Sequence, residues 1–163
     1  MSAQYFWLLY VHVVVVALYV GATAFFTILL PFLRSRLPPG QSYPVILHII
    51  RIYHPLSLTF LGLLILTGAF YLTRLKGVMG PAFAQLFAVL GLKLALVFVL
   101  VMTSSFQFFG LGLRLTRARP GGDGAGGNPG EDQRRLRLLE RVNRVNLALA
   151  LLIVYLGLAM GRS

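Results

Sequence analysis

Apolar residues fall into four long runs along this chain, separated by short polar segments. Lys, Arg, Asp and Glu are absent from residues 1–33, 52–73 and 145–161, and Lys93 is the only one of them within 77–112. Each run is near or above the roughly 17–25 residues that a membrane-spanning helix needs. Strand-like alternation of apolar and polar residues is absent. The pattern therefore predicts an all-α fold, a transmembrane up-down four-helix bundle in a single domain.

Turn and capping residues set the expected helix boundaries. We expect helices at about residues 4–33, 43–73, 82–113 and 134–161, joined on one side by a Gly-rich, flexible cytoplasmic loop at 119–133. Ser42 is a candidate cap ahead of Pro44, and Pro55 is expected to kink the second helix because proline lacks a backbone donor. The first run lacks a basic start and a cleavage site, which favours a retained helix over a signal peptide.

Charge is strongly unbalanced and predicts the orientation in the membrane. There are 15 Lys and Arg residues against 4 Asp and Glu, a formal net charge of +11. Most of the basic residues lie between the first two and the last two apolar runs. By the positive-inside rule both of these connections face the cytoplasm and both termini face outside. The predicted partner of this basic chain is therefore the lipid bilayer and not nucleic acid.

Two ionisable side chains are predicted to lie inside the bundle at comparable depth. Lys93 lies about 16 Å and His12 about 12 Å from the outer ends of their helices. No membrane segment contains a carboxylate, so hydroxyls, water or an anionic ligand must offset the burial of Lys93. Tyr19, Thr67 and Tyr155 fall in the same outer layer, and we predict one site from these five residues. The alternative is that His12 only bonds a neighbouring helix and that Lys93 reaches the outer surface along its stem.

A second polar group is predicted near the cytoplasmic ends of the helices, formed by His48, Arg51, His54, Gln107, Asn143 and Asn146. His48 and His54 are six residues apart and do not form an i,i+4 metal pair. His48 and Arg51 share a helix face, where an anionic lipid or a haem propionate would bind; the alternative is simple contact with lipid headgroups. His54 is a second candidate metal ligand, but it lies roughly 16 Å from His12 in depth, so one haem is not ligated by both.

Composition excludes several other classes of site. Without cysteine there are no thiolate metal sites and no disulfides. No P-loop, GxSxG, HExxH or dinucleotide-binding motif is present, and the few acidic residues do not supply paired carboxylates. The methionines Met1, Met79 and Met160 fall at the outer rim, where thioethers would collect Cu(I).

Four segments together resemble the CopD-like membrane domain and the related HemJ-type protoporphyrinogen oxidases. They are HVVVVALYVG (12–21) followed by LLPFL, LLILTGAFYL (63–72), GLKLALVFVL (91–100) and RVNRVNLALALLIVYLGLAMGR (141–162). The informative part of the resemblance is the order of four features along the chain: a His, a Thr-Gly pair, a Lys-Leu pair and an Arg-x-Asn motif. Tyr19 stands where these families usually have Trp, and Gly91-Leu92 stands where HemJ-type proteins have His-Ala.

The resemblance implies a function in the bacterial inner (plasma) membrane. In the HemJ branch it implies oxidation of protoporphyrinogen IX with a haem b, electrons passing to the membrane, and important roles for His12 and Lys93. In the CopD branch it implies copper uptake or resistance. Three hypotheses remain open: a haem b or tetrapyrrole-binding redox protein with a porphyrin substrate, a copper-handling protein, and a structural subunit of a homo-oligomer or larger membrane complex.

Overall fold

Four long helices make up the computed structural model, which describes residues 3–79, 87–113 and 129–160. Helix α1 spans Ala3–Arg36 and α2 spans Pro39–Met79. Helix α3 spans Phe87–Ser105 and continues as a π-helical segment, Phe106–Gly112, and α4 spans Pro129–Met160. No strand occurs in these residues, so the prediction of an all-α four-helix fold is confirmed. All four helices are long and apolar enough to cross a membrane.

The helix starts differ from the expected positions at two prolines, and α2 ends at Met79 and not at residue 73. Helix α2 already begins at Pro39, because proline at a first helical position loses no hydrogen bond and has a suitable φ angle. Helix α4 begins at Pro129 for the same reason, so residues 129–133 are helical and do not belong to the predicted flexible loop. The rest of that loop up to residue 128, and the predicted start of the third helix at residue 82, lie outside the described residues.

Packing is uneven around the bundle. Helix α1 packs against α2 and α4, and α3 packs against α4, whereas α2 makes few contacts with α3 itself. The π-helical segment contacts both α2 and α4. We call the end of the bundle that holds His12 and Lys93 the outer end, after the predicted orientation. The bundle is thus closed at its inner end by the π-helical segment and loosely joined between α2 and α3 toward its outer end.

Buried side chains form an inner and an outer apolar cluster. The inner cluster centres on Phe26, Leu30, Ile50 and Leu139, and the smaller outer cluster on Leu61 and its neighbours. Large apolar side chains are also exposed on all four helices, among them Phe25, Ile28, Phe98, Leu151 and Leu158. An apolar exterior around an apolar core suits contact with lipid and not with water. Together with the four candidate spans, this surface indicates a multi-pass membrane protein.

Candidate functional site

A cavity of about 480 Å³ lies in the outer half of the bundle, and all four helices line it. We call it the outer cavity. His12 and Tyr19 of α1, Gly68 of α2, Lys93 of α3 and Gly157 of α4 contribute to its wall, which is otherwise mainly aliphatic. Its volume falls within the roughly 300–1,000 Å³ that is usual for small-molecule sites. The two ionisable residues predicted to share a layer therefore line one cavity.

His12 is fixed in the cavity wall by a hydrogen bond to α2. Its Nδ1 lies 2.7 Å from Oγ1 of Thr67, and that hydroxyl donates its own proton to the carbonyl of Leu63 at 2.7 Å. Since the hydroxyl proton is already used, Thr67 accepts and His12 Nδ1–H donates. In the neutral imidazole the lone pair is then on Nε2. Gly68 packs against the ring: a Cβ at that position would lie 3.7 Å from His12 Cε1.

Lys93 reaches the cavity next to a glycine of the opposite helix. A Cβ built on Gly157 would lie only 3.1 Å from Lys93 Nζ, so the ammonium group packs directly against the α4 backbone. Lys93 is half-buried and is close enough to His12 for its charge to act on the imidazole. The four apolar runs contain no carboxylate that could pair with Lys93. Glu140, which precedes the last run on α4, pairs with Arg34. The cation thus faces a largely apolar space.

Tyr19 forms the floor of the outer cavity. Only 2% of the residue is exposed, and its hydroxyl lies 3.3 Å from Oγ of Ser104 on α3. The carbonyl of Tyr19 accepts from Oγ1 of Thr23 at 2.7 Å, and Oγ1 of Thr23 accepts from the hydroxyl of Tyr53 at 3.3 Å. Tyr19 therefore joins the cavity to the polar interior below it.

The structure does not bring Tyr155 into this site, which corrects the prediction. Tyr155 is 67% exposed on the outside of the bundle. The α4 residues that line the cavity are Ala150, Ile153, Val154 and Gly157. Their spacing follows one helical face, and a residue one position after Val154 is turned by about 100° from it. Tyr155 was predicted from its depth along the helix alone, and this depth does not show which face of the helix a residue is on.

Polar side chains in the middle of the bundle form a connected hydrogen-bond network. Asn143 is at its centre: its Oδ1 accepts from Tyr53 (3.0 Å) and Gln107 (3.2 Å), and its Nδ2 donates to Thr27 Oγ1 (2.6 Å) and to the carbonyl of Thr23 (3.1 Å). Asn146 extends the network by donating to Gln107 Oε1 at 2.8 Å. The sequence pointed to the two asparagines and Gln107, whereas Tyr53 and Thr27 were missed because each is an ordinary residue in an apolar helix.

His54 lies beside a second, smaller cavity of about 170 Å³ between α2 and the π-helical segment. We call it the inner cavity. It is lined by Ile50, Arg51, His54, Pro55, Phe108, Gly112 and Leu113. His54 is only 4% exposed, and its Nδ1–H donates to the carbonyl of Ile50 at 3.0 Å. No described residue offers a hydrogen bond to the buried Nε2 atom.

The two histidine sites are separate. His54 precedes Thr67, the residue that contacts His12, by thirteen positions on α2, which is about 20 Å along a helix. Arg51 is exposed at the inner cavity, and His48 is exposed on the same helix. The side chains of Met1, Met79 and Met160 lie outside the part of the chain whose side chains are described.

No group of three or more His, Cys, Asp or Glu residues that could hold a metal ion occurs among the described residues. A single histidine in the wall of a large apolar cavity suits a metal cofactor whose other metal ligands belong to the cofactor itself. Comparison of the chain with protein-family models, with curated proteins and with solved structures gave no match. The assignment of function therefore depends on the geometry of the outer cavity.

Proposed function

We propose that the protein binds haem b or a related tetrapyrrole in the outer cavity and acts as a membrane redox protein, and that His12 would hold the cofactor's metal. The observation that supports this most is the orientation of His12. Its Nδ1–H is committed to Thr67 at 2.7 Å, so the lone pair of Nε2 is the one presented to a ligand. Histidines that bind metal commonly donate their other N–H to such an outer partner, which fixes the tautomer and strengthens the ligand.

Lys93 supplies the second recognition element. Tetrapyrroles of the haem b type carry propionate groups, and an ammonium group at the wall of an apolar cavity attracts a carboxylate strongly. Since the four apolar runs contain no acidic side chain, a propionate would provide an anion beside this lysine. Gly157 leaves the ammonium group room at the cavity edge.

The wall of the outer cavity suits a flat apolar ring. Leu64, Val97 and Ile153 belong to three different helices and enclose the space together with the glycines Gly68 and Gly157. A tetrapyrrole supplies most of its metal's ligands from its own nitrogens, so one histidine is sufficient. A bare copper ion instead needs several protein ligands of the His, Cys or Met type, and among the described residues of this wall His12 is the only one of these three types.

A bound haem b supplies one-electron chemistry at its iron. The residues of this chain would hold the ring, exclude water from it and fix its carboxylates. The resemblance to HemJ-type oxidases adds, as the proposed reaction, six-electron oxidation of a porphyrinogen to the porphyrin in the bacterial inner membrane. The electrons would pass to an acceptor in the membrane, and both termini would lie outside.

The test is a reduced-minus-oxidised optical spectrum of the detergent-purified protein prepared with ample haem. We expect a b-type spectrum in the wild type, its loss in His12→Ala, and weaker haem binding in Lys93→Ala. His48→Ala is the matched control, because His48 is exposed on α2 and lines neither cavity. A colourless wild-type protein, or a spectrum that persists in His12→Ala, contradicts the proposal.

Thr67 provides a second, more conservative pair of variants. Thr67→Val removes the acceptor of the His12 Nδ1 proton and should weaken haem binding about 10–100-fold. Thr67→Ser keeps a hydroxyl at the same place and should bind haem like the wild type. Equal affinity of the two variants would show that Thr67 does not orient the ligand.

A further inference from the structure

The inner cavity, which is not part of the proposed haem site, combines a buried hydrogen-bond acceptor, a glycine next to it and an aromatic wall. His54 is almost completely buried, with its Nδ1–H donated to Ile50 at 3.0 Å. In the neutral ring this leaves Nε2 as a hydrogen-bond acceptor, and no described residue donates to it. A buried acceptor without a donor is destabilising. The position of Nε2 therefore favours a ligand that brings a hydroxyl or N–H donor.

The Nε2 atom lies beside Gly112 of the π-helical segment, and both residues line the inner cavity. A Cβ on Gly112 would lie 3.2 Å from Nε2 and 3.3 Å from Cδ2 of His54, so any larger residue would cover the imidazole edge. The glycine therefore leaves this edge of the imidazole, in the wall of the inner cavity, without a side chain against it. Single π turns within α-helices occur frequently at functional sites.

The size and wall of the inner cavity select the class of ligand. A volume of about 170 Å³ is close to that of the engineered cavity of about 150 Å³ that binds one benzene molecule. The Phe108 ring lies 6.0 Å from the His54 ring, centroid to centroid, and supplies an aromatic wall. Pro55 and Arg51 at its edge are exposed, so the cavity opens at the surface of a membrane span.

We propose that the inner cavity binds the hydroxyl-bearing ring of a membrane-soluble phenol or hydroquinone. The ring hydroxyl donates to His54 Nε2, the ring packs against Phe108, and an apolar tail leaves through the opening into the bilayer. The inference is independent of the haem proposal, because no residue lines both cavities, and His54 lies about 20 Å along α2 from Thr67, the residue that contacts His12.

The test compares two probes that differ only in the hydrogen-bond donor: para-decylphenol and its methyl ether, para-decylanisole. Binding to the full-length protein in lipid nanodiscs is measured by titration. Wild type should bind the phenol about tenfold more tightly than the ether, the usual effect of satisfying a buried acceptor. Nitrogen NMR of the histidine-labelled protein should show an upfield shift of the His54 Nε2 signal with the phenol and no such shift with the ether.

His54→Phe keeps an aromatic ring of similar size and removes the acceptor, so the preference for the phenol should disappear. His48→Gln, on the exposed part of the same helix, should keep the preference. Gly112→Ala retains His54 but places a methyl group against Nε2, and it should weaken binding of both probes. Equal binding of phenol and ether by the wild type, an unshifted Nε2 signal, or wild-type binding by Gly112→Ala would overturn the proposal.

Discussion

Asn143 illustrates how a polar side chain is held in this apolar bundle. It is completely buried, and both ends of its amide are occupied by side chains or backbone of the other helices. Hydrogen bonds between membrane helices contribute about 0.6 kcal/mol each on average. Asn143 therefore connects α4 to each of the other three helices through several modest interactions and leaves no amide atom unpaired.

Replacing this residue should be costly. We expect Asn143→Leu to lower the free energy of unfolding by about 2 kcal/mol, since it removes several interhelical hydrogen bonds and leaves Gln107 and Tyr53 with fewer partners. Denaturation by SDS in mixed micelles measures this difference. Arg144→Gln is the control, because Arg144 is adjacent and exposed, and it should change the stability little. Equal stabilities of the two variants would show that the network contributes nothing net.

Single polar residues in the sequence also predicted most of the candidate site. His12, Tyr19, Thr67 and Lys93 stand out as polar residues in apolar runs, and the first, second and fourth line one cavity, with Thr67 bonded to His12. Tyr155 stood out in the same way and lies on the outside. A tyrosine is stable at either position in a membrane protein, so its presence does not specify its direction.

At the scale of elements, the inner ends of α1 and α4 are joined by one ion pair. Arg34 Nη1 lies 2.8 Å from Glu140 Oε1, with the two side chains 31% and 14% exposed. A partly exposed pair of this kind contributes up to about 1 kcal/mol and is weakened by salt. The hydrogen-bond network around Asn143 is thus expected to contribute more to the α1–α4 association than this salt bridge.

A double-mutant cycle measures the contribution of the pair. Glu140→Gln and Arg34→Gln should each destabilise the protein by about 1 kcal/mol or less, and the double variant should cost little more than either single one. The coupling energy should fall at high salt. Additive effects of the two substitutions would mean that the two helices are held together without this interaction.

The elements themselves were predictable, but their faces were not. Four helices follow from the length and hydropathy of the apolar runs alone. In a bilayer, however, the lipid-facing side of a helix is as apolar as the buried side, so hydropathy does not show which side faces inward. The segment FQFFGLG likewise reads as ordinary α-helix, although it forms the π turn that places Gly112 beside the edge of His54.

At the scale of the whole molecule, the natural lack of cysteine permits a direct test of topology. Gln41 and Arg74 are both exposed, near opposite ends of α2. If the basic connections face the cytoplasm, Gln41→Cys should react with a membrane-impermeant maleimide only in inside-out vesicles. Arg74→Cys should react only in right-side-out vesicles, and the cysteine-free parent is the blank. The reverse pattern would place both termini in the cytoplasm.

The loose contact between α2 and α3 has a consequence for how the outer cavity is supplied. Ile65 of α2 and Leu94 of α3 both line that cavity, and they are 44% and 50% exposed. The gap therefore connects the cavity sideways with the hydrocarbon phase. Occupancy is then governed by the mole fraction of the ligand in the membrane and not by its aqueous concentration. Adding empty lipid at constant total ligand should lower occupancy by surface dilution, even though the protein and the ligand are unchanged in amount.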